Sequence, residues 1–341
     1  MITTRSFGKT PSGVETTLYT IENARGSKVS VCDYGGILVS IIVPDKDGRM
    51  GDVLLGYNDA AGYVPTCGYM GALIGRVGNR IGKGEFVLNG KLYQLYQNDG
   101  RNHLHGGKVG YNEKMWDVTV KGDNALELRY TSPDGEENYP GKLDIKVTYT
   151  FDDDNALSIR YEADGEEDTP VSLTNHAYFN LNGKGSITNH TLTLDCSRLT
   201  IVDNECIPTG ELRDVTGSVF DFRGGRLIGQ DIDADDEQIK NGKGYDHNFV
   251  IDGEGFRRCA RLEGEGRWME VYTDLPGVQF YAGNMLESVN PGKDGEYYHK
   301  RDGLCLETQF HPDSVNHPGF PSCILRKGEH FDSTTKFVFG A

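Results

Sequence analysis

The chain has 341 residues, with 51 acidic and 35 basic side chains and a formal net charge of −16 at pH 7. This charge argues against nucleic acid or an anionic membrane surface as a partner, because both are bound through an excess of basic residues. The chain has seven cysteines, and the closest two are ten residues apart in sequence. That spacing predicts reduced, mostly buried thiols rather than a metal site or a disulfide framework. The seven are Cys32, Cys67, Cys196, Cys206, Cys259, Cys305 and Cys323.

The first strand patterns lie in the N-terminal third of the chain. Residues 14–21 are rich in β-branched side chains, residues 28–36 partly alternate, and residues 37–43 form an apolar run that ends at Pro44. Residues 84–95 predict a hairpin, since Asn89-Gly90 suits a type I′ turn.

Strand patterns continue to residue 283, and one segment alone favours a helix. Residues 234–241 predict a short helix that stops at Gly242. No fixed repeat, low-complexity stretch or Pro/Ser-rich linker divides the chain. We therefore predict an all-β fold with very few short helices, built as one large antiparallel β-sandwich domain over residues 1–341. The further predicted strands span residues 125–133, 142–151, 156–164, 190–196, 248–252, 260–264, 267–274 and 278–283.

Targeting signals are not found in the sequence. The first 13 residues contain no apolar core, so we expect no secretory signal. The longest apolar stretch, residues 37–43, is too short to span a bilayer. Together with the unpaired cysteines, these features predict a cytoplasmic protein with no membrane partner.

Glu307 is the first candidate for chemistry. It lies in the sequence LCLETQF, where apolar neighbours predict a partly buried carboxylate. Desolvation raises the pKa of a carboxyl group towards the range that suits a general base. The alternative is a strand residue that faces solvent or forms a structural ion pair, because buried acids are rare unless they are paired.

His176 is the second candidate and lies in SLTNHAYFNL. In a continuous strand, alternation places Thr174, His176, Tyr178 and Asn180 on one polar or amphipathic face. Such a face is typical of a strand that lines a wet pocket, and it fits an outer face in contact with solvent equally well.

His105 and Arg80 lie in two glycine-rich segments. His105 precedes Gly106-Gly107, which allows close approach of the backbone. His103 is two residues away, so a strand would place both rings on one face as a metal pair, but no third ligand stands at a typical spacing and we predict no metal. Arg80 in GNRIG offers a planar fork of donors to a sugar hydroxyl or a carboxylate, or else forms a structural ion pair with an aspartate.

Asp246 and Gln279 complete the set of candidate residues. Asp246 in GYDHNF can accept hydrogen bonds from ligand hydroxyls, and Gln279 in PGVQFY can both accept and donate. The chain has no GxGxxG fingerprint in a strand–helix context, no Walker motif, no GxSxG elbow and no catalytic Cys–His signature. The residues alone therefore predict an acid–base site on a β-sandwich that needs no cofactor.

Several segments, in the same order along the chain, resemble the aldose 1-epimerase family, also called galactose mutarotases. The resemblance runs nearly end to end. Its main segments are YGGILVSIIVPDKDG (34–48), GALIGRVGNRIGKGEFVLNGKLYQLYQNDGRNHLHGG (71–107), SLTNHAYFNLNG (172–183), GYDHNF (244–249), LPGVQFYAGN (275–284) and CLETQFHPDSVNHPGFPSCIL (305–325).

The resemblance implies a large β-supersandwich and a site without metal or cofactor. In the family's pattern, Glu307 matches the general base and His176 the general acid. The positions of His105, Asn79 and Arg80 match residues that hold the sugar, and those of Asp246 and Gln279 match hydroxyl-binding residues. The activity it implies is interconversion of the α and β anomers of free hexoses such as D-galactose and D-glucose, by a monomer or a homodimer.

Two other functions stay open at this stage. A hexose 6-phosphate epimerase would need a basic cluster for the phosphate, and the sequence shows Arg80 without Lys or Arg residues beside it. A sugar-binding or regulatory protein on the same fold would bind sugar without turnover. An inverting glycosidase fits poorly, because it uses two carboxylates and the candidate pair is a Glu and a His.

Overall fold

The computed structural model describes residues 1–65 and 68–341, and strands dominate it. The strands of the first half are β1 (Ile2–Lys9), β2 (Glu15–Glu22), β3 (Lys28–Cys32), β4 (Leu38–Pro44), β5 (Met50–Asp52), β6 (Leu73–Ile74), β7 (Arg80–Ile81), β8 (Glu85–Leu88), β9 (Lys91–Gln94), β10 (His103–Leu104), β11 (Asp117–Lys121), β12 (Ala125–Ser132), β13 (Leu143–Phe151) and β14 (Ala156–Gly165). Those of the second half are β15 (Thr169–Pro170), β16 (Thr174–Asn175), β17 (Thr191–Leu194), β18 (Cys196–Val202), β19 (Pro208–Asp214), β20 (Arg226–Leu227), β21 (Asp246–Ile251), β22 (Arg257–Glu263), β23 (Trp268–Thr273), β24 (Gly277–Tyr281), β25 (Cys305–Gln309), β26 (Ile324–Leu325) and β27 (His330–Gly340).

Helical structure is sparse in the described residues. The α-helix is α1 (Glu237–Gly242). Short 3₁₀ turns span Ala60–Tyr63, Gly82–Gly84, Tyr111–Glu113, Glu136–Asn138, Ile187–Asn189, Ile228–Gln230 and Ser314–Asn316. None of the helices in the described ranges is long and apolar enough to cross a membrane.

Three large antiparallel sheets form the body of the molecule. The first is a meander of β1 to β5 in chain order. The second has nine strands in the order β11-β12-β13-β14-β27-β23-β22-β17-β20, and the third has five in the order β19-β18-β21-β24-β25. Two-stranded pairs, such as β7 with β10 and β6 with β16, fill the space beside them. This architecture confirms the predicted all-β fold.

One core connects the three sheets. Strand β13 shows how the sequence builds it, because its residues alternate strictly between buried and more exposed. The inward set of β13 includes Ile145, Val147 and Phe151, each at most 3% exposed. Each such side chain contributes about 1.5–3 kcal/mol through its removal from water. The same hydrophobic cluster takes in Ile41 of the first sheet and Phe280 of the third, so the sheets are packed against one another.

Most of the predicted strands are confirmed. The hairpin β8–β9 turns at Asn89 and Gly90, whose φ angles of 53° and 76° are those of a type I′ turn. Strand β27 was not predicted, although it is 11 residues long and central in the nine-stranded sheet. Its buried positions include Ser333 and Thr335, and these polar residues hide the alternation that marks a strand.

The predicted helix at 234–241 is wrong at both ends. Helix α1 starts at Glu237, because the side chain of Asp236 accepts hydrogen bonds from the backbone of the first turn. It continues through Gly242, and Lys243 takes the left-handed conformation expected of a glycine stop. Gly242 is needed for packing instead, since a Cβ there would lie 2.9 Å from Cε1 of His247.

The cysteines follow the prediction of reduced thiols. Five of the six in the described residues are buried and Cys206 is partly exposed, with no disulfide among the six. Cys67 lies outside the described residues.

Candidate active site

Six of the seven predicted site residues line one small cavity of about 150 Å³. The remaining one, Gln279, lies behind Asp246 and donates a hydrogen bond from Nε2 to Asp246 Oδ1 over 2.7 Å. The full lining is Gly68, Tyr69, Asn79, Arg80, Leu104, His105, His176, Tyr178, Asp246, Tyr281, Met285, Leu286 and Glu307.

The third sheet supplies the acidic wall of the cavity. Asp246 is the first residue of β21, and Glu307 is at the centre of β25. Both neighbour β24, where Asp246 is opposite Tyr281 and Glu307 is opposite Gln279. Residues paired across strands share a face, so the sheet brings two carboxylates from distant segments onto one surface.

His176 reaches the cavity from a segment that is only briefly a strand. Strand β16 covers two residues, and the chain then leaves regular pairing before His176. The predicted single polar face is therefore wrong: His176 and Tyr178 line the cavity, whereas Thr174 and Asn180 are buried elsewhere. The segment is buried on both sides because it lies between the sheets. The prediction assumed instead a strand with one face in contact with water.

Asn79 and His105 are held together by two hydrogen bonds. The backbone N–H of His105 donates to Asn79 O over 3.0 Å, and the backbone N–H of Asn79 donates to His105 Nδ1 over 3.1 Å. Both residues have positive φ, 62° and 51°. Gly106 follows directly, and a Cβ there would lie 1.8 Å from the carbonyl oxygen of Gly75, so glycine is required for this close approach.

The reactive pair is Glu307 with His176. Oε1 of Glu307 lies 3.6 Å from Nε2 of His176, and the two residues are 2% and 5% exposed. The second carboxylate oxygen, Oε2, is buried and has no hydrogen-bond partner among the described residues. The other ring nitrogen of His176, Nδ1, contacts Sγ of Cys305 over 3.4 Å. An unpaired carboxylate oxygen beside an imidazole suits proton exchange with a bound hydroxyl.

Burial shifts the pKa values of this pair in opposite directions. Desolvation raises the pKa of Glu307 well above its ordinary value, and the negative charge of Asp246 adds to the increase. Desolvation lowers the pKa of His176 to about 4. Both effects favour a neutral carboxyl group beside a neutral imidazole in the free protein, which together carry one proton.

Arg80 is the cation of this cavity. Its Nε donates to Asp99 Oδ2 over 2.8 Å. Burial alone would lower the pKa of Arg80, but the charges of Asp246 and Asp99 outweigh that effect and raise it. The positive charge in turn opposes the rise that burial causes in the pKa of Asp246. Arg80 therefore both pairs with Asp99 and stabilises the ionised carboxylate of Asp246.

His103 does not form a metal pair with His105. Strand β10 ends at Leu104, and the positive φ of His105 turns its ring away from that of His103. Both ring nitrogens of His103 are occupied, one by Tyr96 O and the other by Tyr139 Oη, each at 2.7 Å. The predicted common face fails because a left-handed residue breaks the alternation.

A different trio offers ligand atoms within 4.8 Å of one another: His105, His176 and Glu307. The tautomer of His105 does not suit a cation. Its Nδ1 accepts the N–H of Asn79, so a neutral ring carries its proton on Nε2, which then has no lone pair for a metal. Nε2–H is a hydrogen-bond donor instead, and the donor set fits an oxygen-rich organic ligand better than a metal ion.

Several residues of the cavity were not singled out from the sequence. Tyr69 stacks against His176 with ring centroids 5.9 Å apart and meets His105 edge to face at 4.6 Å. Tyr178, which stacks on His176 with ring centroids 5.1 Å apart, was on the predicted polar face but was given no role. Tyr281 lies in the family segment LPGVQFYAGN but was given no role, and its place beside Asp246 is visible only from the pairing of β24 with β21.

Larger clefts lie elsewhere on the surface. They have volumes of about 770 Å³ and 530 Å³. Their histidines, His299 and His330, are 63% and 46% exposed in their side chains. In the described parts of the chain, neither cleft joins a buried carboxylate to a buried imidazole, so the small cavity is the better candidate for acid–base chemistry.

Comparison with known proteins gives a consistent result. The sequence model of the family described as Aldose 1-epimerase matches residues 17–338. The chain is 43% identical to a galactose mutarotase of Bos taurus over 343 residues, covering 99% of this chain and 98% of that protein. It is 38% identical to an aldose 1-epimerase of Escherichia coli K12 over 336 residues, covering 96% of each. A crystal structure of galactose 1-epimerase from Lactobacillus acidophilus superposes with a TM-score of 0.88 at 28% identity, covering 100% of this chain and 98% of that one.

Proposed function

The chain belongs to the aldose 1-epimerase family, and from this premise we propose that its small cavity interconverts the α and β anomers of free hexoses. The protein is an isomerase of that family. D-galactose and D-glucose are the proposed substrates, with Glu307 as the base and His176 as the acid.

The buried, unpaired Oε2 of Glu307 carries this proposal. A carboxylate oxygen left without a partner is costly in a protein interior, and a sugar hydroxyl satisfies it. Ring opening then needs two proton transfers: Glu307 takes the proton of the anomeric hydroxyl, and His176 protonates the ring oxygen. The C1–O5 bond breaks, the aldehyde rotates, and the same two groups exchange roles when the ring closes.

The proton count of the pair fits this cycle. Catalysis requires a carboxylate and an imidazolium, which together hold one proton, and the neutral pair holds the same number. The active form is therefore reached by moving a proton across the 3.6 Å between Nε2 and Oε1, without exchange with solvent. Each positioned acid or base typically contributes about 10²- to 10⁴-fold in rate.

The remaining polar groups hold the sugar in this proposal. Nε2–H of His105 and the guanidinium of Arg80 donate, the carboxylate of Asp246 accepts, and the amide of Asn79 can do either. Tyr69 and Tyr178 enclose His176 and keep water away from it. The reaction requires no metal, nucleotide or redox cofactor.

The charge of the cavity favours an uncharged sugar over a sugar phosphate. The lining holds the carboxyl groups of Asp246 and Glu307, and its cation, Arg80, is already paired with Asp99. A phosphate dianion would meet two acids and no free cation among the described lining residues. A hexose 6-phosphate epimerase is therefore the less favoured alternative.

Polarimetry tests the proposal. Pure α-D-galactose is dissolved with and without the protein, and its optical rotation is followed to equilibrium. Wild-type protein is expected to accelerate the relaxation, and Glu307→Gln and His176→Gln to lose at least about 100-fold while staying folded. Tight galactose binding without acceleration would instead indicate a binding protein, and acceleration for glucose 6-phosphate alone would indicate the phosphate-specific enzyme.

Three broader attributes belong to the same proposal. We infer that residues 1–341 form one domain, that the protein works in the cytoplasm, and that it acts as a monomer or a homodimer. The support is the family match over residues 17–338 and the acidic net charge of −16, which disfavours nucleic acid and membrane surfaces as partners.

A further inference from the structure

Four buried polar side chains form a hydrogen-bonded chain behind the cavity. Gln279 is 4% exposed, Asn248 1%, Gln309 0% and His311 3%. None of them lines the cavity, although Gln279 matches a hydroxyl-binding position of the family. Burying three amides and an imidazole side by side is costly unless their hydrogen bonds are made, so the arrangement calls for a reason.

The register of the third sheet places these four hydrogen-bonded side chains on the face that carries Asp246 and Glu307. Asn248 is opposite Gln279, which is opposite Glu307, and Gln309 is opposite Gly277. Gly277 leaves space for the far end of the chain, because a Cβ there would lie 2.5 Å from Asn248 Oδ1 and 2.8 Å from Nδ1 of the neighbouring imidazole. The sheet therefore builds one continuous polar layer from Asp246 inwards.

The direction of each hydrogen bond can be worked out from the Asp246 end. Gln279 donates from Nε2 to Asp246 Oδ1 over 2.7 Å and keeps its own amide oxygen as an acceptor. Gln309 Nε2 donates to that oxygen over 3.3 Å and also to Asn248 Oδ1 over 3.2 Å. Asn248 is then left with its amide N–H groups, and Nδ2 lies 3.0 Å from Nδ1 of His311.

The His311 end is compatible with this direction when the neutral ring carries its proton on Nε2. Burial lowers the pKa of His311 to about 4, so the ring is neutral near pH 7 and Nδ1 can accept from Asn248. Each contact between His311 and Asp246 therefore joins a donor to an acceptor, while Oε1 of Gln309 has no partner among the described residues. Gln309 is the junction, because its single NH₂ group satisfies the oxygens of both neighbouring amides.

We propose that Gln309 is a positioning residue for sugar binding, which fixes the amide of Gln279 and through it the carboxylate of Asp246. This inference rests on the proposed function. Without Gln309 the oxygen of Gln279 loses its donor, and the amide is held only by its bond to Asp246. The Gln279 side chain can then shift together with the carboxylate, which leaves the orientation in which it accepts a sugar hydroxyl.

The expected signature is weaker binding with chemistry intact. Glu307 and His176 make no hydrogen bond to Gln309, so the proton transfers are unchanged once sugar is bound. Gln309→Met, which keeps the length but no donor, should raise KM for galactose on the order of tenfold with kcat within about twofold. Gln309→Glu is expected to be protonated by burial and to keep one donor, so its KM should lie between those of wild type and Gln309→Met.

Thr308→Val is the matched control. Thr308 lies on the same strand, faces the opposite side and forms a hydrogen bond with Thr335. Loss of its hydroxyl therefore affects packing but not the hydrogen bonds from His311 to Asp246. Its KM should equal that of wild type. Thermal unfolding and near-UV circular dichroism establish whether each variant is folded. If Gln309→Met is not folded, the test is made with Gln309→Glu.

A double-mutant cycle separates positioning from a merely structural role. kcat/KM is measured for Gln309→Met in wild type and in an Asp246→Ala background, where the positioned group is absent. The inference requires the Gln309→Met loss to fall from about tenfold to less than twofold in that background. Equal losses in both backgrounds, an unchanged KM, or a loss confined to kcat would each overturn it.

The same proteins distinguish failure of this inference from failure of the proposed function. If wild type binds galactose by calorimetry but does not accelerate mutarotation, the proposed function fails, and the cycle is repeated on galactose Kd. If mutarotation is fast and Gln309→Met has the wild-type KM, the inference alone fails. A wild-type protein that neither binds galactose nor accelerates its mutarotation would overturn both.

Discussion

The pH dependence of kcat/KM gives the sharpest check on the proposed chemistry. Glu307 and His176 are active only while the pair holds one proton. Below the pKa of His176, which burial lowers to about 4, the pair gains a second proton and no base remains. Above the pKa of Glu307, which burial and Asp246 raise well above its ordinary value, the pair loses its proton and no acid remains. The profile is therefore bell-shaped, with a plateau that starts near pH 4 rather than at the ordinary histidine value of about 6.5.

Polarimetry with the spontaneous rate subtracted at every pH measures this profile, and kcat/KM reports the free protein that the structure describes. The rate should fall about tenfold per pH unit on the acid side of pH 4. Asp246→Ala should keep that limb and move the alkaline limb to lower pH, since loss of the aspartate charge lowers the pKa of Glu307. An acid limb centred near pH 6.5 would refute the desolvation of His176 on which the reasoning depends.

Substitutions at Gly106, Phe179 and Cys305, with Gly100→Ala as a control, test the scaffold around the pair. Gly106→Ala should lower the melting temperature far more than Gly100→Ala. Both glycines have positive φ, but a Cβ at Gly106 would lie 1.8 Å from a carbonyl oxygen, whereas no atom lies within 4 Å of a Cβ at Gly100. Equal decreases in melting temperature would contradict this packing argument. Phe179→Ala, fully buried in the core, should cost about 3–5 kcal/mol in urea unfolding, and a cost below about 1 kcal/mol would show that the site collapses freely. Cys305→Ser keeps a group that can donate to or accept from Nδ1 of His176, 3.4 Å from the native sulfur, and should retain kcat within about threefold. Cys305→Ala should lower kcat about tenfold. Equal kcat in both variants would mean that the thiol contributes to packing alone.

Local patterns in the sequence were enough for much of the fold. Strands β12 to β14 alternate apolar and polar residues, and their predicted bounds agree within one residue with those observed. The type I′ turn at Asn89-Gly90 was predictable for the same reason, because its conformation depends on two adjacent residues. Strand β27 was missed, since Ser333 and Thr335 hold buried positions that only the neighbouring strands define.

The candidate site divides in a similar way. The chemical type of each side chain, and the match of its segment to a family, pointed to Glu307, His176, His105, Asn79, Arg80, Asp246 and Gln279 before any distance was known. Whether a carboxylate is buried, which ring nitrogen is free, and which amide donates depend on atoms that are distant in sequence. The structure shows six of these residues around one cavity and places Gln279 behind Asp246.

The sequence by itself therefore determined the fold class, the family and the residue types of an acid–base site, because periodicity and motifs are local properties of the chain. Only the tertiary structure decided the protonation and orientation of those residues. The pKa of Glu307 rises and that of His176 falls because the packed sheets remove water from both. The chain of amides from His311 to Asp246 likewise exists only because strands β21, β24 and β25 pair in one register, which no single segment of the sequence encodes.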